Sequence, residues 1–469
     1  MKFQALYYAD RLHYLHVKGD IGIITLWSPV SQVLKKLTEW QLDLSRVAVL
    51  GNLYGNGLPQ LLRNLLYNPQ IVHLVILGQD LSNSRQELIN FFQLGIEPVE
   101  YCGTPTFRIK GTQRIIDGEV TPTDFLHPIQ LHPFGKLTEC QHPLQEFLQQ
   151  LPSPLNLNLP RQEKPLSTFQ PTHYPSHPQI HTIYDLTPLL AWQSLVTRLL
   201  RFGKPIQLKK GKRYELLNVK AIIEQGTAPP TVEVEQFGFN VKHIMDYQSR
   251  LLQAELGEQT YTYGNRLRGY FAHQSQLVDG LAAVIQRLQT DPNTRHAYLS
   301  LWDGGRDTVE GRGCPCLVSL FFRLSEEKLN LTANFRTHNA MDAWLENAFG
   351  LGGILNYVAQ HSNLSAGNLT LISHSISLSE EVMNRAKAVP QPKSKLRLDP
   401  HGEVNITWDE QTQEVVVQHS YQGANLGEYR GKTSLEIESQ LVENQVISDI
   451  SHALYIGREI AKQFALQKK

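Results

Sequence analysis

Neither sign of charge dominates this chain of 469 residues: 44 lysines and arginines balance 44 aspartates and glutamates, for a formal net charge of zero. That balance argues against a general binder of nucleic acid or of acidic membranes, and leaves room for a local basic pocket. Cysteine is scarce, with four in the whole chain. So few do not make a disulfide framework, and a reducing cytoplasm is the expected compartment. No stretch approaches about twenty apolar residues, so no membrane span is expected. The opening MKFQALYYADRLHYLHV lacks a basic start followed by an apolar run, so no signal peptide is expected either. What is present is ordinary for a globular protein, 41% hydrophobic and 19% charged residues. At this length about two to four domains are expected, each able to bury a core.

Residues 1–125 alternate short apolar runs with helical stripes. Ile21 to Trp27, Val47 to Leu50 and Val72 to Leu77 read as strands; Val33 to Trp40 and Pro59 to Tyr67 read as helices. That alternation predicts a doubly wound parallel sheet, whose ligands bind beyond the carboxyl ends of the strands. The loop Gly51-Asn-Leu-Tyr-Gly-Asn-Gly57 is then either a ligand cradle or simply a tight strand-to-helix turn. Through ITLWSP (24–29), VAVLGNLYGNG (47–57), RNLLYNP (63–69) and VILGQD (75–80), this segment resembles the corrinoid-binding component of tetrahydromethanopterin S-methyltransferase. The resemblance implies a corrinoid and a cobalt-ligating histidine shortly after the last motif. Here that place reads Leu81-Ser82-Asn83-Ser84. Another cofactor, or a fold kept without its ligand, are the alternatives.

Residues 126–182 are dense in proline and read as a partly extended linker with one short helix around Leu144 to Leu151. Its histidines, among them His127, His132, His173 and His181, follow no metal-site spacing.

Residues 183–389 carry the chemistry. Cys316 follows Gly311, Gly313 and Pro315 and enters the apolar run Leu317 to Leu324. A second run, Lys328 to Phe335, delivers Arg336, and a helix follows with Met341, Trp344, Leu345, Ala348, Phe349 and Leu351 on one face. If the two strands pair, a thiol and a guanidinium lie at adjacent strand ends, an arrangement that favours the nucleophilic thiolate. The alternatives are an inert buried thiol, or a redox or metal role for Cys314 with Cys316. Lys209, Lys210, Lys212 and Arg213 surround a glycine and read either as a phosphate-binding turn or as a solvated one.

This region, from about Tyr184 to Val389, resembles the thymidylate synthase family. In that family an arginine follows a Pro-Cys nucleophile by twenty residues and an asparagine follows it by eleven more, the places of Arg336 and Asn347. The resemblance implies an α+β core around a mixed sheet that dimerises back to back. It implies Cys316 as nucleophile at C6 of a deoxyuridine monophosphate, Arg336 on the phosphate, and Asn347 reading O4 and N3. Arg213, or failing it Lys212, would reach the phosphate; Arg295 and His296 would reach the partner chain's. Tyr263 would lie beside the reduced pterin, unless it is a packing residue. The chain departs from the family pattern at Leu317 (often histidine), Phe335 (usually glutamine), Asn339 (an aspartate on the pterin) and Ser377 and Ser379 (a histidine and a tyrosine on the sugar). A register shift would bring His374 to the first of those two places. Three functions follow as alternatives: C5 methylation with 5,10-methylene-tetrahydrofolate or a methanopterin analogue, C5 hydroxymethylation, or a non-catalytic scaffold responsive to nucleotide or pterin.

Residues 390–469 read as a small separate module. Val404, Ile406 and Trp408, with Val415 and Val417, predict a hairpin through Asp409–Glu414. A terminal helix from Ser448 to Leu466 is expected to bury Ile450, Ala453, Leu454, Gly457, Ala461 and Phe464. The module resembles a domain of unknown function that accompanies domains like the N-terminal one. His452 is expected to be packed rather than a ligand.

Overall fold

Short, fully apolar strands can be buried on both faces, and the start of the chain uses them that way. The structure is a computed structural model and describes residues 1–154, 159–177, 179–310, 313–392 and 398–467. Strands β1 (His13–Tyr14), β2 (Ile21–Ile24), β3 (Val47–Gly51) and β4 (His73–Leu77) are followed by a small antiparallel sheet, β5 (Ile96–Tyr101), β6 (Thr104–Ile109) and β7 (Ile115–Ile116), and then by β8 (Gln130–Gly135). The main sheet has the order β1-β3-β2-β4-β8, parallel except for β1. Every residue of β2 and β4 is buried. Helices α2 (Leu58–Tyr67) and α3 (Ser84–Leu94) share one core with the sheet through Leu62, Leu66, Leu88 and Phe91. Helices α1 (Val30–Glu39) and α4 (Gln141–Gln150) share another through Val33, Leu37 and Leu144.

The sequence reading places residues 126–182 in a linker, but β8 and α4 are part of this sheet and its core. Pro133 hides β8 from a sequence pattern. A proline is tolerated on an edge strand, where its missing N–H costs no ladder bond, and β8 is such an edge. The extended residues beyond are fastened to the domain. Arg63, fully buried, pairs with Asp117 and donates to the carbonyls of Lys164 and Pro165. Arg161 donates to Tyr67 O and to Asn68 Oδ1.

The central sheet is mixed and has eight strands. Its members are β9 (Thr182–Asp185), β10 (Lys204–Leu208), β11 (Gly211–Ile223), β14 (Tyr298–Ser300), β15 (Leu317–Ser325), β16 (Lys328–Phe335), β17 (His338–Asn339) and β18 (Ser365–Ser379); β12 (Ala272–His273) and β13 (Gln276–Leu277) form a separate hairpin. The order is β10-β11-β18-β16-β15-β14, with β17 on β18 and β9 on β11. β15 and β16 pair antiparallel as expected, through a two-residue turn whose Glu326 and Glu327 both have positive φ (50° and 61°), the backbone of the tightest hairpins. One face is covered by α5 (Pro188–Phe202), α6 (Val241–Leu251), α7 (Tyr263–Arg268), α8 (Gly280–Thr290) and the 18-residue α10 (Trp344–His361). The short α9 (Asp307–Glu310) and α11 (Met383–Lys387) complete this part.

The chain divides into two units, Met1–Pro390 and Gln391–Lys469. The second is a three-stranded antiparallel sheet, β19 (Glu403–Asp409), β20 (Glu414–Tyr421) and β21 (Ala424–Gly431), with α12 (Ser434–Glu443) and α13 (Ile450–Leu466). Neither β21, whose side chains are mostly exposed, nor α12 is part of the hairpin-plus-helix expectation. The expected face of α13 is also wrong. Ile450 and Leu454 are 80% and 74% exposed, and Ile456 and Ile460 are the side chains it buries. Two apolar stripes run along this helix, and the one carrying Ile456, Ile460 and Phe464 packs on the sheet. Among the described residues no helix is long and apolar enough to cross a membrane. The whole is a multidomain α/β architecture with mixed sheets.

Candidate active site

Strand pairing puts the sulfur where the sequence spacing requires it. Leu317 pairs with Phe335, so Cys316 and Arg336 meet at the same end of the β15–β16 ladder, and Arg336 N donates to Cys316 O at 3.0 Å. The guanidinium does not point into the cavity. Its Nε donates to Pro315 O at 3.0 Å and Nη2 to Cys314 O at 3.2 Å, and it lies 5.6 Å from the Trp302 ring. Arg336 therefore braces the loop that delivers the thiol. The loop is held a second way by a buried ion pair. Arg266 and Asp307, both about 2–3% exposed, are joined by bonds of 2.8 and 3.0 Å, and the thiol of Cys314 donates to Asp307 O at 3.4 Å.

Cys316 is half-buried and opens on a cavity of about 420 Å³. Arg213, Tyr263, Asn339, Asn347 and Ser377 line the same cavity, with Lys209, Lys210, His338 and Ser375. Eight of the residues singled out from sequence thus come together: Cys316, Arg213, Tyr263, Asn339, Asn347 and Ser377, with Lys209 and Lys210. Arg295 and His296 are exposed on the loop before β14, and Ser379 lies beyond the cavity, paired with Arg213 across the β11–β18 ladder. Lys212 lies against the ring of Tyr214 instead of in the lining.

Several polar groups of the cavity have partners. Arg213 Nε donates to Ser377 Oγ at 2.8 Å. Ser375 Oγ donates to the carboxylate of Glu215. Side chains alternate along a strand, so Ser373, Ser375 and Ser377 share a face of β18 and His374 takes the other. His374 is exposed there, with Nδ1 3.1 Å from Asn218 Oδ1, so it does not replace the sugar-reading histidine. Asn339 is folded back on its own loop: Oδ1 accepts from Met341 N and Asp342 N, and Nδ2 donates to Asp342 Oδ2.

Asn347 stands in the first turn of α10 and is 8% exposed. Its Oδ1 accepts from Tyr247 OH at 2.6 Å, and its Nδ2 lies 2.9 Å from His338 Nε2. His338, 4% exposed, stacks on Phe335 at 3.9 Å and places Nδ1 3.1 Å from Ser373 Oγ. Burial pushes its imidazole down to about 3, so the ring is neutral. Tyr263 begins α7, and its hydroxyl accepts from Leu317 N at 3.4 Å, one residue past the thiol. Burial, then the neighbouring Tyr247 and Cys316, push this phenol well above its usual range, so it is a hydrogen-bond donor and not a base. Sequence spacing misses His338 and Tyr247. Tyr247 comes from α6, a hundred residues from Asn347, and carries no local motif.

The loop after β3 is stitched to the neighbouring strand end. Asn52 Nδ2 lies 2.8–2.9 Å from Thr25 Oγ1, Leu26 O and Ser28 O, and Trp27 stacks on Tyr54 at 4.6 Å. Asp80, just before Leu81-Ser82-Asn83-Ser84, where the resemblance would put a cobalt-ligating histidine, accepts from the backbone N–H groups of Ser82, Ser84 and Arg85. A carboxylate committed to three amides does not fit a corrinoid's nitrogen ligand. Among the described residues no group of three or more His, Cys, Asp or Glu is placed to hold a metal ion.

Residues 398–469 match the family PterinBD-DUF4346. Curated relatives named "Putative thymidylate synthase" match the central and C-terminal part of the chain. That of Methanosarcina barkeri is 30% identical over 186 residues, 39% of this chain and 82% of the relative. Those of Methanothermobacter thermautotrophicus and Methanopyrus kandleri are each 28% identical, over 200 and 192 residues, covering 40% of this chain and 86% and 88% of the relatives.

Proposed function

Because the chain belongs through this region to the thymidylate synthase family, we propose that it transfers a one-carbon unit to C5 of a deoxyuridine monophosphate, with a reduced pterin as the carbon donor. The observation that carries this reading is the cavity of about 420 Å³ that Cys316 shares with the Asn347 amide and with Arg213, Lys209 and Lys210. The thiolate adds to C6, and the electron pair moves to O4 and makes C5 nucleophilic. C5 then attacks the methylene carbon of 5,10-methylene-tetrahydrofolate or a methanopterin analogue. Loss of the C5 proton and departure of the carrier's nitrogen from that carbon leave an exocyclic methylene, and hydride from the carrier then reduces it to a methyl group as the thiolate is expelled from C6. The alternative in which water closes the reaction gives a hydroxymethyl group.

Arg213 and the two lysines take the phosphate. Arg336 sets the loop and thereby the sulfur. Tyr263 and Asn339 meet the pterin. Arg295 and His296, remote from the cavity of their own chain, act in the partner's site of a cytoplasmic homodimer. The N-terminal doubly wound domain serves a ligand other than a histidine-ligated corrinoid. A second reading, a non-catalytic nucleotide- or pterin-responsive scaffold, draws on Ser377, Ser379 and Asn339: the Ser377 hydroxyl accepts from Arg213, Ser379 is outside the cavity lining, and Asn339 is folded back on its own loop.

Tritium release from C5-labelled deoxyuridylate tests the reading. Release that depends on methylene-tetrahydrofolate and is lost in Cys316→Ala is expected, and product mass separates methyl from hydroxymethyl. Nucleotide binding without release, with either carrier, would leave the scaffold.

A further inference from the structure

Two aromatic rings are left open at the carboxyl end of the N-terminal sheet, and both are held in place. Trp27 follows β2 and Tyr54 follows β3; the rings stack with centroids 4.6 Å apart, yet they are 41% and 45% exposed. Packing alone does not account for them, since rings that serve a core are turned into it. Trp27 Nε1 donates to Ser82 Oγ at 2.9 Å, and Trp27 N donates to Gln79 O at 3.0 Å. Gln79 N donates in turn to Ser28 Oγ at 3.0 Å. Immediately before the open tryptophan, the fully buried Leu26 has a φ of 49°, a left-handed conformation that costs a leucine energy. A Cβ at Gly78 would stand 2.5 Å from Thr25 O, so the loops after β2 and β4 close on one another only because that position is glycine.

The parallel strands run in the order β3-β2-β4-β8. From β2 the chain enters α1 on one face of the sheet, and from β4 it enters α3 on the other. The loops part between these two strands, and open sheets of this kind take ligands there. The loop after β4 leads to a cation with an unmet demand. Arg85 Nη2 donates to Gly78 O at 3.1 Å, the carbonyl next to the one that holds Trp27, and its buried Nε has no partner. A guanidinium carries five N–H donors, and a phosphate or carboxylate takes two of them at once. From this arrangement, and resting on the reading above that the domain serves a ligand other than a histidine-ligated corrinoid, we propose a second ligand site in this chain. Trp27 and Tyr54 are its stacking platform, the ligand is a flat fused heteroaromatic ring with an anionic arm, and Arg85 is the counter-charge of that arm. Flat rings of many kinds stack on an aromatic face, so the platform sets the shape of the ligand and the arginine sets its charge.

The test titrates four probes into the full chain. Flavin mononucleotide has a flat ring with a phosphate arm, and stacking on tryptophan quenches its fluorescence. Folic acid has a flat ring with carboxylate arms, riboflavin has the flavin ring without the anion, and hydroxocobalamin is the corrinoid control. At least one of the two anionic flat probes is expected to bind, and which of them binds tells a phosphate arm from a carboxylate arm. Its Kd is expected to rise about tenfold or more in Trp27→Ala, the loss of one stacking ring, and to recover most of that in Trp27→Phe. Arg85→Gln is expected to weaken the same probe about fivefold or more and to leave riboflavin unchanged. Arg213→Ala, which disarms the central cavity, is expected to leave the affinity within about twofold, because that residue belongs to the other site. Tyr54→Ala, which keeps the bond from Trp27 to Ser82, decides the matter if Trp27→Ala does not fold. Binding that falls in Arg213→Ala and not in Trp27→Ala belongs to the central cavity and refutes the platform. So does a native chain that binds neither anionic probe; in both cases the exclusion of a corrinoid stands. If hydroxocobalamin binds through Trp27 and the flat rings do not, both readings fall together.

Discussion

Three phenols lie near Cys316: burial first, and the charge of Cys316 after it, raise Tyr247, Tyr261 and Tyr263. They remain protonated across the working range and supply hydrogen bonds, not base chemistry. His338 is the residue whose titration leaves a measurable mark. Its ordinary value is 6.5 and burial takes it to about 3. As pH falls below about 6.5 the unfolded chain takes up a proton here and the folded chain does not. The stability that the neutral ring supports is complete above that point and is lost on acidification toward pH 3, at up to about 1.4 kcal/mol per pH unit. Urea midpoints at about pH 7 and about pH 5 check this: the native protein is expected to lose more stability between them than His338→Gln, which has no such group.

One level up, the site depends on how the segment from Trp302 to Cys316 is pinned. Asp307 accepts from Arg266 and from Asp303 N, and Asp303 accepts from Tyr270 OH. Asp307→Ala leaves the Arg266 guanidinium buried without its counter-charge, a change that costs about 3–5 kcal/mol. Chemical denaturation is expected to register that loss, and alkylation of Cys316 to become faster as its loop loosens. The hairpin that carries the thiol is legible in the sequence. Leu317 to Leu324 and Lys328 to Phe335 are short apolar runs around a polar turn, and their pairing brings Cys316 and Arg336 to one end of the ladder. Other elements are not legible there. Pro133 disguises β8, and two apolar stripes on α13 make its buried face ambiguous. The direction of Arg336 depends on the carbonyls of Cys314 and Pro315, and the holders of Asn347 come from β17 and α6. Such contacts are set by tertiary packing, and a linear pattern does not encode them.

Across the whole molecule, each unit closes its own core. In the second, buried Asp399 accepts from His401 N, Ser448 N, Ser448 Oγ, Asp449 N and His452 Nδ1, which ties the start of α13 to the strand entry. Burial raises its carboxyl, but the bonds from Ser448, His452 and His401 outweigh that and hold it well below the usual range. In the first unit, the central sheet turns one face to the helices. Leu331 and Leu369 pair on that face, as do Ala333 and Leu371; Thr332, Asn334, Thr370 and Ile372 point to the other, beside Phe321. These second-face side chains are half-exposed in the single chain. A sheet face that mixes Phe321, Ile222 and Ile372 with threonine and asparagine is suited to meet a second copy of itself. A charge placed there must be desolvated without a partner. Ile372→Asp is therefore expected to weaken a dimer by about 2 kcal/mol or more, roughly thirtyfold in Kd. Sedimentation of native and variant chains measures it. Because Arg295 and His296 lie away from the cavity of their own chain, the variant monomer is also expected to bind nucleotide less tightly than the native protein. A native chain that sediments as a monomer, or a variant that still dimerises, would assign this face to another use.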